Sequence, residues 1–249
     1  MKKNEHEMSF LDHLEILRWH LIRSGIAILI LSILAFIFKE IIFDAILLAP
    51  KDPNFLTYRF LCNISQGLGL GDALCIKESP FSLMNINMAG QFSTHLMTSI
   101  YAGFILAFPY VFWEIWRFIL PALKEKETKV TRGVVFFSSL LFLTGVTFGY
   151  YVIAPLSINF LGSYQVSQTV ANQISLTSFV STVTTISLAN GIIFELKILV
   201  YFLTKIGLLT PEFMKTYRRH AMVITLILSA IITPPDITSQ ILVSFPLII

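Results

Sequence analysis

Charge is what this chain of 249 residues has least of. Its 18 basic and 15 acidic residues make up 13% of the sequence, about half the share of an ordinary soluble domain. With 55% hydrophobic residues and a mean hydropathy of +0.75, too little polar surface remains to cover a water-soluble globule of this length. Intrinsic disorder and nucleic-acid binding are excluded on the same ground, since the first needs high net charge at low hydrophobicity and the second a basic field. Cysteine is scarce as well: Cys62 and Cys75 are the only two, which excludes a disulfide-dense scaffold. Also missing are a phosphate-cradling glycine loop, a His-Glu-x-x-His helix, a nucleophile elbow and any haem or iron–sulfur spacing. The five histidines, His6, His13, His20, His95 and His220, are scattered. No enzyme, cofactor or metal is expected.

What the sequence does have is long intervals without charge. A helix crossing a bilayer needs roughly 20 apolar residues at about 1.5 Å each. Residues 24–38 carry no charge, and 97–113 form the apolar part of a charge-free interval that starts at Ser79. Residues 133–194 hold 62 positions without one Asp, Glu, Lys or Arg, too many for a single span. Pro155 and a neutral polar run from Asn159 to Gln173 place a turn there, which predicts helices over 133–153 and 176–202. Two shorter apolar segments, 221–232 and 237–249, flank Thr233-Pro234-Pro235-Asp236. The prolines stop one helix and Asp236 can cap the next. The expectation is an all-α polytopic membrane protein: one integral membrane domain over 1–249, with six transmembrane helices, the fifth and sixth short.

Loop charges set the orientation. Thirteen Lys and Arg fall on one side: Lys2, Lys3, Arg18 and Arg23, then Arg117, Lys124, Lys126, Lys129 and Arg132, then Lys205, Lys215, Arg218 and Arg219. The other side has four, Lys39, Lys51, Arg59 and Lys77. Both termini are therefore expected in the cytoplasm, with an amphipathic segment over 1–20, cytoplasmic loops over 114–132 and 204–220, and external loops over 39–94 and 154–175. The first apolar run ends in Phe38-Lys39-Glu40 without a small-residue cleavage site, so it reads as a span and not a cleaved signal. Cys62 and Cys75 fall in the long external loop with Gly67, Gly69 and Gly71 between them. In an oxidising compartment a disulfide is expected, with two free thiols as the alternative.

Three polar features stand out. In the N-terminal segment, Ser9 can cap a helix that puts Phe10, Leu14, Leu17 and Leu21 on one face and Asp12, Glu15, Trp19 and Arg23 on the other. Composition alone reads it as a solvated helix leading into the first span. The run Phe118-Ile119-Leu120-Pro121-Ala122-Leu123-Lys124-Glu125-Lys126-Glu127 reads, by itself, as a solvated charged loop. Glu195 is different, because a carboxylate inside a span costs about 2.5–3.5 kcal/mol and calls for a partner or water. Lys197 is rotated about 200° away on the helix and cannot be that partner. Either a partner helix or an internal hydrogen bond can serve. Gly145-x-x-x-Gly149 permits close helix approach, read as packing within the bundle.

These features occur in an order that resembles the TatC family, the multi-span core of the twin-arginine protein translocase, over essentially the whole chain. The residues that carry it are His13-Leu14-Glu15-Ile16-Leu17-Arg18, Ala49-Pro50, Trp116-Arg117-Phe118-Ile119-Leu120-Pro121-Ala122-Leu123 followed by Glu127, Phe194-Glu195, and Thr233-Pro234-Pro235-Asp236-Ile237-Thr238-Ser239-Gln240. The resemblance implies a glove-shaped bundle in the bacterial inner membrane. It also implies a receptor that binds folded precursors through their twin-arginine signal peptides, recruits single-span TatA- and TatB-type partners, self-associates, and exports its cargo on the proton-motive force. Carried over residue by residue, the signal-peptide site is Glu15, Arg18, Phe118, Pro121, Leu123 and Glu127. Glu195 becomes the contact for partner helices, and Pro50, Pro234, Pro235 and Asp236 become structural turns. Two guanidinium groups call for carboxylates in bidentate reach, so the assignment makes chemical sense.

The family usually has Glu three residues after the motif histidine, where this chain has Ile16, with Glu15 one position earlier. Either Glu15 substitutes by a small helix rotation, or recognition leans on Glu127. The chain ends at Ile249, short of the family's usual cytoplasmic tail, which reads as a shortened chain. The competing reading is a proton- or solute-coupled transporter with Glu195 as its coupling carboxylate.

Overall fold

In hydrocarbon every backbone N–H and C=O must find its partner within the segment, so long apolar runs fold as long helices. The computed structural model describes residues 10–69, 71–72, 75–76, 81–122, 133–167, 169, 172–205, 210–232 and 240. Its helices are α1 (Phe10–Ile37), α2 (Leu56–Gly67), α3 (Gly90–Ile119), α4 (Val134–Phe148), α5 (Ala154–Ser163), α6 (Leu176–Lys205) and α7 (Pro211–Ile232). Among the described residues four helical stretches are long and apolar enough to cross a membrane: Leu14–Ile37, Gly90–Ile119, Val134–Ser163 and Leu176–Lys205. At about 1.5 Å per residue they measure roughly 36–45 Å, more than the roughly 30 Å hydrocarbon layer.

The helices run past the limits read from the sequence. The amphipathic segment is not separate from the first span, since α1 continues from Phe10 to Ile37 without a break. The second span takes in residues 90–94 and 114–119, which composition placed in loops. Its polar residues are absorbed locally: the His95 ring stacks on Phe36 at 3.9 Å, with Nε2 3.1 Å from the Phe36 carbonyl oxygen. Similarly, α7 begins at Pro211, ten residues before the expected fifth apolar segment. The sixth segment lies outside the described residues except for Gln240, as do Pro234, Pro235 and Asp236.

Pro155 does not end the third span. A π-helical turn, Gly149–Ile153, links α4 to α5, and Pro155 sits in the first turn of α5, where its missing N–H does least harm. The carbonyl that this N–H would otherwise reach, on Tyr151, accepts a hydrogen bond from Thr57 Oγ1. Next to Thr57, the Tyr58 hydroxyl lies 3.1 Å from the Pro50 carbonyl oxygen and 2.9 Å from that of Pro155. Burial pushes the Tyr58 phenol well above its ordinary pKa, so it stays a donor. The Pro50 turn, Ala49–Lys51, is thereby fastened to the bend of the third span. The remaining connections at this end carry the Cys62–Cys75 disulfide, with Cα atoms 4.4 Å apart, and a parallel two-stranded ladder. Ser82–Met84 (β1) pairs there with Gln173–Ser175 (β2), in register Leu83 with Ile174.

The third and fourth spans pack closely, and Ile153, Val183, Ile186, Ile193 and Phe194 belong to the buried cluster there. The glycine pair explains it. A Cβ on Gly145 would fall 2.7 Å from the Asn190 carbonyl oxygen and 2.9 Å from Phe194, and one on Gly149 would meet Ile186 and Ser187 at 3.0 Å. Only glycine lets α4 and α6 approach this closely.

Candidate functional site

Contacts along α1 and α3 fix their relative direction: Phe36 meets His95, Ser32 faces Gly103, and His20 meets Glu114. The helices are antiparallel, so the N-terminal end of α1, with Glu15 and Arg18, lies beside the C-terminal end of α3, with Phe118. The junction is a buried polar cluster. Glu114 is only 1% exposed; His20 Nδ1 pairs with its Oε2, and the Tyr110 hydroxyl donates to its Oε1 at 2.9 Å. The His20 ring also meets Phe118 edge-on, with centroids 6.1 Å apart.

Around this junction Glu15, Ile16, Arg18 and Trp19 are exposed on α1, Phe118 is half-buried, and Pro121 is exposed in the 3-10 turn Leu120–Ala122 that ends α3. The structure thus brings Glu15, Arg18, Phe118 and Pro121 to one end of one helix pair. Phe118 sits on a helix and not in the loop where the sequence placed it. Leu123 and Glu127 lie outside the described residues.

The second carboxylate, Glu195, lines an apolar groove of about 430 Å³ between α3 and α6, walled by Phe108, Phe112, Trp116, Leu199 and Phe202 among others. Ser138 of α4 donates to its Oε2, and its Oε1 has no hydrogen-bond partner among the described residues. The internal bond foreseen as one alternative is therefore present, with half of the carboxylate left over. Lys197 turns elsewhere, its amine 5.6 Å from the centre of the Phe194 ring.

Glu114 and His20 were missed by sequence reasoning. Glu114 looked like the first charge of a loop, and His20 like one of five scattered histidines. A carboxylate with a tyrosine four residues earlier, flanked by Phe112 and Ile115, was the available signal, because such a group is retained inside a span only with partners. Among the described residues no group of His, Cys, Asp and Glu is arranged to hold a metal ion.

Comparison with known proteins gives one consistent result. Residues 12–246 match the family model described as "Sec-independent protein translocase protein (TatC)". The Sec-independent protein translocase protein TatC of Blattabacterium sp. subsp. Periplaneta americana is 39% identical over 250 aligned positions, covering 100% of this chain and 94% of that protein. Its counterpart from Aquifex aeolicus is 33% identical, covering 97% and 91%. A crystal structure of the twin arginine translocase receptor TatC in DDM superposes with a TM-score of 0.72 at 32% identity, covering 95% of this chain and 94% of that one. These proteins are components of a translocase and not enzymes. With its four long apolar helices and a match over nearly its whole length, the chain belongs to the TatC family of Sec-independent protein translocase proteins and is a multi-pass membrane protein of protein transport.

Proposed function

We propose that the protein is the signal-peptide receptor and core subunit of a twin-arginine translocase in a bacterial inner membrane, with six spans and both termini in the cytoplasm. The observation that carries this reading is the antiparallel packing of α1 on α3, which gathers Glu15, Arg18, Phe118 and Pro121 at one end. A twin-arginine signal peptide approaches that end from the cytoplasm, its guanidinium groups meeting Glu127 and Glu15 while Phe118, Pro121 and Leu123 form the apolar edge. The groove at Glu195 supports recruitment of single-span TatA- or TatB-type partners, because an apolar wall with one carboxylate oxygen that has no partner among the described residues suits a transmembrane helix carrying one polar residue.

A charge-assisted hydrogen bond contributes about 1.5–3 kcal/mol, so losing one lowers affinity roughly ten- to a hundred-fold. Titration of a labelled twin-arginine signal peptide is therefore expected to show Glu127→Ala weakening binding by that factor, Glu15→Ala by less, and Glu125→Ala least. Ile16→Glu, which restores the family's usual carboxylate on an exposed face, keeps or strengthens binding. A twin-lysine peptide serves as the control. Parent-like binding by Glu127→Ala overturns the assignment.

A further inference from the structure

Helix α2 presents three faces of different chemistry. One is buried and holds Thr57, Tyr58 and Ser65. Thr57 bonds the Tyr151 carbonyl, Tyr58 those of Pro50 and Pro155, and Ser65 Oγ donates to the Gly71 carbonyl oxygen at 2.8 Å. A second face is polar and exposed, with Arg59, Asn63 and Gln66. The third is apolar and also exposed. Leu56, Phe60, Ile64 and Leu68, the residue that caps the helix C-terminus, recur every fourth position, so they form one slowly winding stripe. They are 66%, 63%, 37% and 70% exposed. The helix cannot roll to hide this stripe, because the bonds of Thr57 and Tyr58 fix its first turn and the Cys62–Cys75 disulfide holds its second half. A row of large apolar side chains facing outward marks contact with a membrane or a partner.

Depth points to the membrane. The third span starts at Val134, directly after a stretch holding Lys124, Lys126, Lys129 and Arg132, which marks one membrane surface. At about 1.5 Å per residue, Tyr151 and Pro155 lie about 26 and 32 Å farther along the span, and a hydrocarbon layer is roughly 30 Å thick. The two carbonyls of this span that hold α2 therefore stand at the opposite edge of the layer. The aromatic residues agree. Phe55 stacks on Tyr151 with centroids 5.7 Å apart and meets Tyr58 and Tyr150 edge-on, and tyrosines gather at the level where acyl chains give way to headgroups. The three tryptophans, Trp19, Trp113 and Trp116, lie at the other end of the α1–α3 pair and form the second girdle.

We propose that α2 is an interfacial helix lying in the plane of the leaflet opposite the basic stretch 124–132. Leu56, Phe60, Ile64 and Leu68 sit among the upper acyl chains, and Arg59, Asn63 and Gln66 among phospholipid headgroups and water. The ligand is the phospholipid surface. A helix with an apolar stripe beside a polar one suits such a surface, and the Arg59 guanidinium suits lipid phosphate. Because α2 is bonded to the third span at Tyr151 and Pro155, its anchorage sets the depth of that span at the bend. The choice of leaflet follows from spacing along the span, so it stands apart from the receptor role and from the direction of the termini.

Spin labels test it in the full chain, reconstituted in vesicles of phosphatidylethanolamine and phosphatidylglycerol, where the disulfide leaves an introduced cysteine as the sole free thiol. Nitroxides on Leu56→Cys and Phe60→Cys are expected to show a several-fold higher ratio of collisions with oxygen, which concentrates in the bilayer, to collisions with a water-soluble nickel chelate than nitroxides on Arg59→Cys and Asn63→Cys. All four parent side chains are exposed, so the labels displace no packing. Equal ratios at the four positions place the stripe in water and overturn the proposal. Protection of positions 56 and 60 from both reagents puts protein over the stripe, a second copy of the chain included, and overturns it as well.

Discussion

Glu114 and Glu195 sit at nearly the same level of two parallel helices, since the offset that pairs Thr94 with Thr177 sets Glu114 beside Lys197. Their surroundings differ sharply. Glu114 is sealed between α1 and α3 with a partner on each oxygen, His20 and Tyr110. Glu195 is half-buried at the wall of a groove, with Ser138 on one oxygen and nothing described on the other. A carboxylate whose hydrogen-bonding capacity is used inside the chain holds helices together. One with an oxygen left without a partner among the described residues, beside an apolar groove, is on our reading a contact for a partner helix. The same residue type at the same depth thus serves architecture in one place and, on our reading, recruitment in the other.

The largest expected effect is at the sealed site. Glu114→Ala strands His20 and Tyr110 and is expected to cost about 3 kcal/mol of stability, as breaking a buried pair does, measured by thermal unfolding in detergent. Glu114→Gln costs less because it still accepts from Tyr110. Adding His20→Ala to Glu114→Ala should cost clearly less than the two single changes together, because their effects share one interaction. Strict additivity would break the comparison by showing that the pair does not couple α1 to α3.

Next comes the packing that places Ser138 beside Glu195. Gly145→Val drives a side chain into Asn190 and Phe194 and is expected to cost about 2 kcal/mol by overpacking. Ser138→Ala removes only the donor and should cost about 0.6 kcal/mol, the usual worth of a hydrogen bond between helices in a bilayer. Both are read from unfolding midpoints. A Ser138→Ala cost as large as that of Glu114→Ala would make Glu195 a second architectural carboxylate.

The smallest change in stability is expected at Glu195 itself. Glu195→Ala should stay within about 1 kcal/mol of the parent, since one interhelical bond is lost and the groove wall remains, yet it should weaken crosslinking to single-span partners. Glu195→Gln should be milder, because an amide keeps hydrogen-bonding capacity without charge. Equal crosslinking by parent, alanine and glutamine variants would leave the Ser138 bond as the whole account of this residue.

Much of this arrangement was legible in the sequence, and particular residues mark where legibility ended. The charge-free intervals located all four long spans, and 176–202 came within a few residues of α6. Glu195 was identified because it interrupts an apolar run. Pro155 misled because a proline after a long apolar run reads as a stop, and only the π turn with Thr57 on the Tyr151 carbonyl carries the helix onward. Glu114 misled in the opposite sense: it looked like the start of a loop, and nothing nearby announced His20 as its partner.

The sequence by itself determined that the chain lives in a membrane, where its long spans run and which residues carry the family pattern. Transfer of an apolar segment into hydrocarbon is a property of that segment alone, summed residue by residue. Only the tertiary structure decided which polar groups are satisfied. The decisive partners lie 94 residues apart for His20 and Glu114, 57 for Ser138 and Glu195, and 83 for Thr94 and Thr177, and a hydrogen bond acts over about 3 Å of space, whatever the distance along the chain.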